Sequence, residues 1–429
     1  MKNALVLYPS ASTACGIGTW VEALSGSLGE RGWAVRVGLA WGRRYHVPSR
    51  VEAFRPGLRT LRMDARSGTE EARIQAIART IERVRPDVVV LTVLDSAFEA
   101  VRRLRHAGTS VRLVAVNHGN LPEQAACLQA NAHVIDTVVC VSRLSHTAMR
   151  SVPGAFPAAR LLHVPNAVAT APSAPRRGRG PLVVGYAGRL ASEKRAEDIA
   201  PFFRELHRLV PEARLWVAGA GDVAPAIAAL ASEFPAHVRY LGELNAAALR
   251  TEFFPRVDVL THFSAAEAWG YSIAEAMSHG AVPVTSDFLG RSIDGLALDQ
   301  INALVFPVGD RRRAAEHVQR LAAEPALLSC LSEAAAAHIR QSFSMEAFGR
   351  HWARALEGCL SLPPLPQPVR PRSLDARGPL GLRRPWWEPV RRTLGRQVAH
   401  GSPGEEWPHF SCRDTALVAA YAAAMERAR

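Results

Sequence analysis

The chain lacks several features that would each place it in a particular class of protein. Its six cysteines are scattered and form no C-x-x-C pair, which argues against a zinc site and a disulfide framework. No run approaches the roughly 18 apolar residues that a membrane-spanning helix needs. The first apolar stretch reaches Pro9 too early for the core of a signal peptide. These absences predict a soluble or peripheral protein of the reducing cytoplasm.

Lysine is nearly absent as well. Of the 52 lysines and arginines only Lys2 and Lys194 are lysines, and the formal net charge is +13. This charge suggests an anionic partner such as a nucleotide or a phospholipid head group, although an arginine-rich proteome would give the same excess. No segment resembles a nucleic-acid-binding module, so no nucleic-acid partner is expected. Lys194 stands out because a compact ammonium binds differently from a planar guanidinium.

Two α/β domains are predicted from the length and from the alternation of short apolar strands with helices. Such strands form a parallel sheet that is covered by helices on both faces. The predicted strands are Ala4–Tyr8, Ala34–Ala40, Asp87–Leu94, Val111–Val116, Thr137–Val141, Leu182–Ala187, Arg214–Ala218, Val238–Leu241, Val257–Thr261 and Ala281–Thr285. Ligands of these sheets bind beyond the carboxyl ends of the strands, so the expected site is a cleft between the two domains.

The domain boundaries follow from shifts in composition. The segment APSAPRRGRGP interrupts the alternation and is typical of a linker. The predicted divisions are residues 1–168 for an N-terminal Rossmann-like acceptor domain, 169–181 for the linker, 182–342 for a C-terminal Rossmann-like donor domain, 343–362 for a helix that packs back toward the first domain, and 363–429 for a tail.

The tail is rich in proline and arginine and ends in an alanine-rich helix near Thr415–Arg427. Its role is open at this stage. It could dock onto the body of the protein. The paired Trp386 and Trp387, which arginines flank, also suit an anionic membrane interface.

The first predicted strand is followed by the segment ACGIGTWVEAL. Gly16 and Gly18 would let the backbone approach a ligand at the start of a helix, where free amides favour anions. The third glycine of a dinucleotide-binding fingerprint is replaced by Val21, and no acidic residue closes the next strand. A nicotinamide enzyme is therefore disfavoured.

Two segments of the second domain carry candidate chemistry. After the first strand, Gly188 is followed by Arg189 and Lys194, five residues apart, which could place two cations over one phosphate cluster; a solvated loop would show the same residues. Farther along, Glu267 and Glu275 flank a predicted helix start, and carboxylates there can accept hydrogen bonds from hydroxyl groups. The helix start exposes the backbone amides that would hold a diphosphate, those of Trp269, Gly270, Tyr271 and Ser272.

These segments resemble the GT4 family of retaining glycosyltransferases. GYAGRLASEKRAEDI is similar to the family's G-R-L-x-x-E-K segment, residues 267–275 match its E-x7-E motif, VPNAV resembles its V-P-N-G-V segment, and GIGTWVEALSGSLGERGWAVRV resembles its first glycine loop and helix. The resemblance covers roughly residues 3–360. It implies the GT-B fold, in which two facing Rossmann-like domains with parallel sheets enclose a cleft.

The resemblance also implies roles for particular residues. Arg189 and Lys194 would match the pair that neutralises the donor diphosphate, Glu275 the acid that binds the ribose, and Glu267 the acid that contacts the transferred sugar. His118 would match a histidine near the reacting sugar, although a histidine at a strand end can also simply cap a loop. The expected protein is an enzyme of class EC 2.4, of hexosyltransferase type, with a nucleotide-diphosphate sugar as co-substrate and no cofactor. Its acceptor would be a glycan or a lipid-linked molecule.

The sequence departs from the family pattern in places. The loop SDFLGRSIDG lacks the usual glutamate, and His262-Phe263-Ser264 replaces the usual proline–serine before Glu267. The absence of a D-x-D motif favours a reaction without a metal ion. A non-catalytic protein that binds nucleotide sugars and a nucleotide-sugar epimerase remain as alternatives. The loops at Trp41–Leu61 and Asn120–His133 are expected to select the acceptor.

Overall fold

A computed structural model describes residues 1–12, 15–154, 156–171, 180–366, 370–372, 384–395 and 397–428. The chain divides into two compact units. The first comprises Met1–Thr13, Trp20–Val164 and Gly349–Ala428, and the second comprises Ala14–Thr19 and Pro165–Phe348. Most of the predicted linker, residues 172–179, lies outside the described residues.

The first unit contains a seven-stranded parallel sheet in the order β3-β2-β1-β4-β5-β6-β7. Its strands are β1 (Lys2–Tyr8), β2 (Trp33–Trp41), β3 (Thr60–Asp64), β4 (Val88–Leu91), β5 (Arg112–Asn117), β6 (Thr137–Cys140) and β7 (Leu161–His163). The helices between them are α1 (Gly16–Gly29), α2 (Pro48–Phe54), α3 (Glu70–Val84), α4 (Ser96–His106), α5 (Pro122–Ala130) and α6 (Arg143–Ser151).

Burial on both faces explains why the central strands are apolar runs rather than alternating sequences. All four residues of β4, VVVL, are fully buried, as are the last five of β1. Helix α3 shows how the connections end. The Thr69 side chain accepts a hydrogen bond from the Ala72 amide at its start, and Arg85 closes it in the left-handed region with φ of 46°.

The second unit contains a six-stranded parallel sheet in the order β10-β9-β8-β11-β12-β13. Its strands are β8 (Val183–Ala187), β9 (Arg214–Ala218), β10 (Val238–Tyr240), β11 (Val259–His262), β12 (Val282–Ser286) and β13 (Leu304–Phe306). The helices, including the one that follows this unit, are α7 (Ile199–Leu209), α8 (Ala224–Glu233), α9 (Ala246–Ala248), α10 (Tyr271–Ser278), α11 (Arg291–Asp294), α12 (Arg311–Ala323), α13 (Pro325–Ser342) and α14 (Met345–Ser361).

Both units are Rossmann-like, and the predicted fold class, α/β with the two parallel sheets of the GT-B fold, is confirmed. Three strands were missed: β3, β7 and β13. The last two have only three residues each, and β3, TLRMD, lies at the sheet edge with mixed polarity. The two predicted acceptor loops also contain regular structure, because α2 and the start of β3 fall within the first and α5 within the second.

The C-terminal tail is part of the first unit. Its helices are α15 (Arg384–Thr393), α16 (Pro403–Glu406) and α17 (Thr415–Ala428). Helix α17 packs against α5 and α6 and buries Tyr421, Ala424 and Met425. The alanine-rich helix and its docking onto the body thus correspond to one of the two expectations for the tail.

The membrane expectation rested on a pair of tryptophans. Only 8% of Trp387 is exposed, so this ring is not available at a surface, and the Trp386 side chain lies outside the described part of the structure. No helix in the described part of the chain combines the length and apolar character needed to cross a bilayer.

Candidate functional site

The loops that follow β8 and β9 are fixed to one another by backbone contacts. The Gly188 amide donates to the Ala218 carbonyl at 3.0 Å, and the Leu190 amide donates to the Ala220 carbonyl at 2.9 Å. A Cβ on Gly219 would lie 1.9 Å from the Gly188 oxygen, so only glycine allows this approach. The close packing gives the segment after Gly188 a defined path at the carboxyl edge of the sheet.

This path places Arg189 and Lys194 in different surroundings. The Arg189 guanidinium forms an ion pair with Glu193 at 2.5 Å and is about half exposed. Lys194 ends a short helical turn, Ser192–Lys194, and its ammonium lies 2.6 Å from Glu267 Oε1. In this structure the two cations therefore pair with separate carboxylates, Arg189 with Glu193 and Lys194 with Glu267.

Glu267 is the centre of the polar cluster in the second unit. Its Oε1 accepts hydrogen bonds from Lys194 Nζ, from Ser264 Oγ at 2.9 Å and from His262 Nε2 at 3.1 Å. His262 ends β11, and its Nδ1 lies 3.3 Å from the Thr285 hydroxyl on the neighbouring strand. The carboxylate is thus fixed from three directions at the carboxyl edge of the sheet.

The charge on Glu267 is set by these contacts. Burial alone would raise its pKa, but the hydrogen bond from His262 and the positive charge of Lys194 outweigh burial and hold the pKa of Glu267 well below its usual range. The carboxylate is therefore ionised near neutral pH. It can accept hydrogen bonds and stabilise a nearby cation, but it cannot act as a general acid.

The start of α10 supplies backbone donors close in sequence to this carboxylate. Gly270 precedes the helix in the left-handed conformation, with φ of 92°, and the first turn of α10 runs Tyr271-Ser272-Ile273. Amides of a first turn have no partner within their helix and attract anions. Tyr271, Ser272 and Glu275 are partly exposed, whereas Ile273 is buried.

Trp269 and Glu275 have different environments. The Trp269 ring is 3% exposed and packs edge-on against Phe343 and Tyr271, which makes it a support for the loop. Glu275 lies one helical turn after Tyr271 and therefore on the same side of α10. A carboxylate at that position could accept hydrogen bonds from a ligand held at the helix start.

In the first unit His118 follows directly after β5. Its ring lies edge-on to Trp20 of α1, with 4.6 Å between ring centroids. Burial lowers the pKa of His118 to about 3, so the imidazole is uncharged near neutral pH. Its Nε2 is buried, and within the described residues it has no hydrogen-bond partner.

Gly16 and Gly18 lie in the first turn of α1, after β1, as expected for a loop at the carboxyl edge of a sheet. The Gly18 amide donates to Cys15 Sγ at 3.4 Å. The two residues immediately before Cys15 lie outside the described ranges.

The structure thus joins Lys194 to Glu267 and adds three features that were not predicted from the sequence: the contacts of His262, Ser264 and Gly219. His262 and Ser264 had been noted only as departures from a family pattern. Their position between the end of β11 and Glu267 could have identified them, because both can reach that carboxylate. Within the described residues, no group of three or more His, Cys, Asp or Glu side chains could hold a metal ion.

The same segments lie inside a recognisable domain. Residues 181–324 match the family described as glycosyl transferases group 1. The matched range lies within the second unit. It contains the Gly188 loop, Lys194, Glu267 and α10, whereas His118 and the two glycines of α1 precede it. No curated protein matches the chain by sequence.

Solved structures resemble the chain beyond this domain. Sucrose-phosphate synthase from Thermosynechococcus elongatus is 16% identical with a TM-score of 0.67, covering 83% of this chain and 98% of its own. HepE from Anabaena, solved in complex with UDP-glucose, is 17% identical with a TM-score of 0.65 over 83% and 100%. The pneumococcal O-GlcNAc transferase GtfA, solved with UDP and GlcNAc, is 12% identical with a TM-score of 0.67 over 84% and 99%. At these identities the likeness shows the fold.

Proposed function

We propose that the chain is a metal-independent, retaining glycosyltransferase of the GT4 type that moves a hexose from a nucleotide-diphosphate sugar to an acceptor hydroxyl. The observation that carries the proposal is the Lys194–Glu267 pair beside the start of α10, within a glycosyl transferases group 1 domain. The complexes of HepE with UDP-glucose and of GtfA with UDP and GlcNAc support a donor of this class.

The proposed chemistry follows from where charge develops. Cleavage of the sugar–phosphate bond leaves a diphosphate with growing negative charge and a sugar with cationic character. The Lys194 ammonium and the first-turn amides of α10 would stabilise the diphosphate more in the transition state than in the ground state. The ionised Glu267 would lie toward the sugar, and Glu275 would accept hydrogen bonds from the ribose hydroxyls.

Arg189 completes the donor site only if its side chain leaves Glu193. The pair is exposed, and an exposed ion pair contributes little to stability, so a diphosphate can compete for the guanidinium. His118 is uncharged near neutral pH and would donate or accept a hydrogen bond near the reacting sugar rather than carry charge.

We assign a glycan or lipid-linked hydroxyl as the acceptor, with peripheral contact to an anionic membrane supported by the net charge of +13. A cytoplasmic location is supported by the six cysteines, which are all free. No nucleic-acid partner and no cofactor are proposed.

A thermal-shift screen against UDP, GDP, ADP, TDP and CMP, with and without EDTA, tests the donor and the metal. We expect stabilisation by one nucleoside diphosphate that EDTA does not alter. Loss of the shift with EDTA would contradict metal independence. No shift with any nucleotide would favour a protein that has lost donor binding.

Retention is tested separately with the sugar form of the diphosphate that binds. The anomeric configuration of the first product, read by proton NMR before it can equilibrate, should match that of the donor. An inverted product would reject the retaining mechanism. Turnover of the donor sugar to its epimer without any acceptor would instead indicate an epimerase.

A further inference from the structure

A carboxylate of the tail contacts the loop after β2, Gly42–His46. Two carboxylate oxygens of Glu406 accept hydrogen bonds from four consecutive backbone amides, those of Arg43 at 2.6 Å, Arg44 at 2.8 Å, Tyr45 at 3.0 Å and His46 at 2.8 Å. The His46 ring donates a fifth from Nδ1 at 3.0 Å. A run of amides that converges on one anion is a stable concave arrangement of the backbone.

The loop is shaped by this carboxylate. A Cβ on Gly42 would lie 2.1 Å from Glu406 Oε2, so the glycine makes room for it, and the Gly42 amide closes the turn on the His46 carbonyl at 2.9 Å. Only 3% of Glu406 is exposed, and Arg73 donates to its carbonyl oxygen. The loop conformation therefore depends on a residue about 360 positions later in the chain.

The tail holds the next two loops of the same edge as well. The Val398 amide donates to Ser67 after β3, and Glu388 accepts from the Thr69 hydroxyl at 2.6 Å. After β4, the loop and the tail form a short antiparallel pairing, in which the amides of Phe410 and Asp95 each donate to a backbone carbonyl of the opposite segment. All three loops lie at the carboxyl edge of the sheet, where α/β folds bind their ligands.

What the first loop presents is positive charge. The Arg43 and Arg44 side chains are exposed, and within the described residues neither guanidinium forms an ion pair; that of Arg44 lies over the Tyr45 ring. Neighbouring arginines are neutralised, Arg62 by Glu52 and Arg66 by Asp64. Glu406 is held by the loop amides, so within the described residues both guanidinium groups are left without a carboxylate partner.

We infer that Arg43 and Arg44 bind an anionic group of the acceptor, a phosphate or a carboxylate, and that Glu406 is the positioning residue that holds their loop in shape. Guanidinium groups bind both kinds of group through paired hydrogen bonds. The inference rests on the proposed function for the identity of the ligand as an acceptor. The anion could belong to a soluble sugar or to a lipid head group.

The test uses the full chain and two families of probe. Glucose 6-phosphate and glucuronate are titrated by calorimetry, with methyl glucoside as the neutral probe, and binding to phosphatidylglycerol vesicles is compared with binding to phosphatidylcholine vesicles. Replacing both arginines, R43A/R44A, should weaken anion binding about tenfold or more. Since the loop amides and not these side chains hold Glu406, the variant should fold normally.

The matched control is R59A/R83A, which removes the same charge from two exposed arginines near the opposite edge of the sheet. It should leave binding of the probes unchanged. Loss confined to the sugar probes identifies a soluble acceptor, and loss confined to vesicles identifies a lipid head group. Equal losses in both double variants, or no loss in R43A/R44A, would overturn the inference.

A second variant tests the positioning role. Glu406→Gln should weaken anion binding in the otherwise unchanged chain, but it should have no further effect in the R43A/R44A background if it acts through those side chains. An additional loss there would reject the role. Repeating the titrations in Lys194→Ala separates this site from the donor site. If the Lys194→Ala variant still binds the anion, the inferred anion site is supported even when the variant binds no nucleotide.

Discussion

Lys194 and Glu267 form an ion pair that is partly shielded from solvent. The ammonium is one-quarter exposed and the carboxylate is less so, which makes the contact stronger than a surface pair. Arg189 differs, since both it and its partner Glu193 are about half exposed. The two cations were expected to behave alike, but their environments predict different consequences when each is removed.

Lys194→Ala should weaken binding of the stabilising nucleoside diphosphate about tenfold or more, because a charge-assisted contact is lost. It should also lower the free energy of unfolding by about 1–3 kcal/mol, since Glu267 loses a close partner. Arg189→Ala should weaken binding with little change in stability. Calorimetric titration and thermal unfolding measure both quantities.

Arg312→Ala is the control for these variants, because Arg312 is an exposed arginine on α12 that pairs only with the neighbouring Glu316 among the described contacts. It should change neither quantity. Unaltered nucleotide affinity in Lys194→Ala would remove this residue from the donor site.

Helices and strands were predicted from sequence to different degrees. Long apolar strands such as β1 were predicted because a strand that is buried on both faces is a continuous apolar run. The three short or polar strands carry too little pattern. In the site, sequence spacing indicated Glu267 and Lys194 separately. Their ion pair depends on the course of the loop after β8, which packs on Gly219 through backbone atoms. A pattern of side chains cannot predict such a backbone contact.

The contact between the tail and the β2 loop should respond to acid. Burial lowers the pKa of His46 from 6.5 to about 4, and the amides of Arg44 and His46 help to lower that of Glu406 from 4.5 to about 2 against the effect of burial. His409 and Arg73 also face His46 and lower its pKa further. In both cases the unfolded chain binds more protons, so the free energy of unfolding falls as pH drops from about 6.5.

His46→Asn removes one titrating group. It should reduce the loss of free energy of unfolding between pH 6.5 and 4 by up to about 3 kcal/mol. Part of the slope should remain, because burial also lowers the pKa of His118 and His163. Denaturant unfolding across this pH range measures the slope. A variant with the slope of the unchanged chain would show that His46 takes up its proton without loosening the tail.

The tail belongs to the first unit, although about 180 residues of the second unit separate it from the rest of that unit in sequence. Its Trp407 is buried, Phe410 stacks on Phe98 at 5.3 Å, and Tyr421 lies fully buried in α17. The sequence left docking of the tail onto the body as one of two expectations, but it did not identify these buried residues, because they are few and widely spaced. If the tail were deleted to test whether it contacts membranes, part of a folded unit would therefore be removed with it.

Deleting residues 397–429 should destabilise the first unit severely, since α5, α6 and α4 lose buried partners, while the second unit should still bind the nucleoside diphosphate. Differential scanning calorimetry with and without nucleotide would show the unfolding transition of the first unit at a lower temperature. The transition of the second unit would still be shifted by the nucleotide. Glu426→Ala, an exposed change on α17, is the matched control. A single unchanged transition in the deleted chain would contradict this assignment.

The scarcity of lysine, in a chain whose second lysine contacts Glu267, has a practical consequence. Reductive methylation with carbon-13 would label the side chains of Lys2 and Lys194 alone among 52 basic residues. The Lys2 signal would report on its pair with Glu357 in the first unit, and the Lys194 signal on the candidate donor site. The reaction also labels the N-terminal amine, and beside that signal the two lysine resonances would follow the two units of an unmutated chain separately as nucleotide is added.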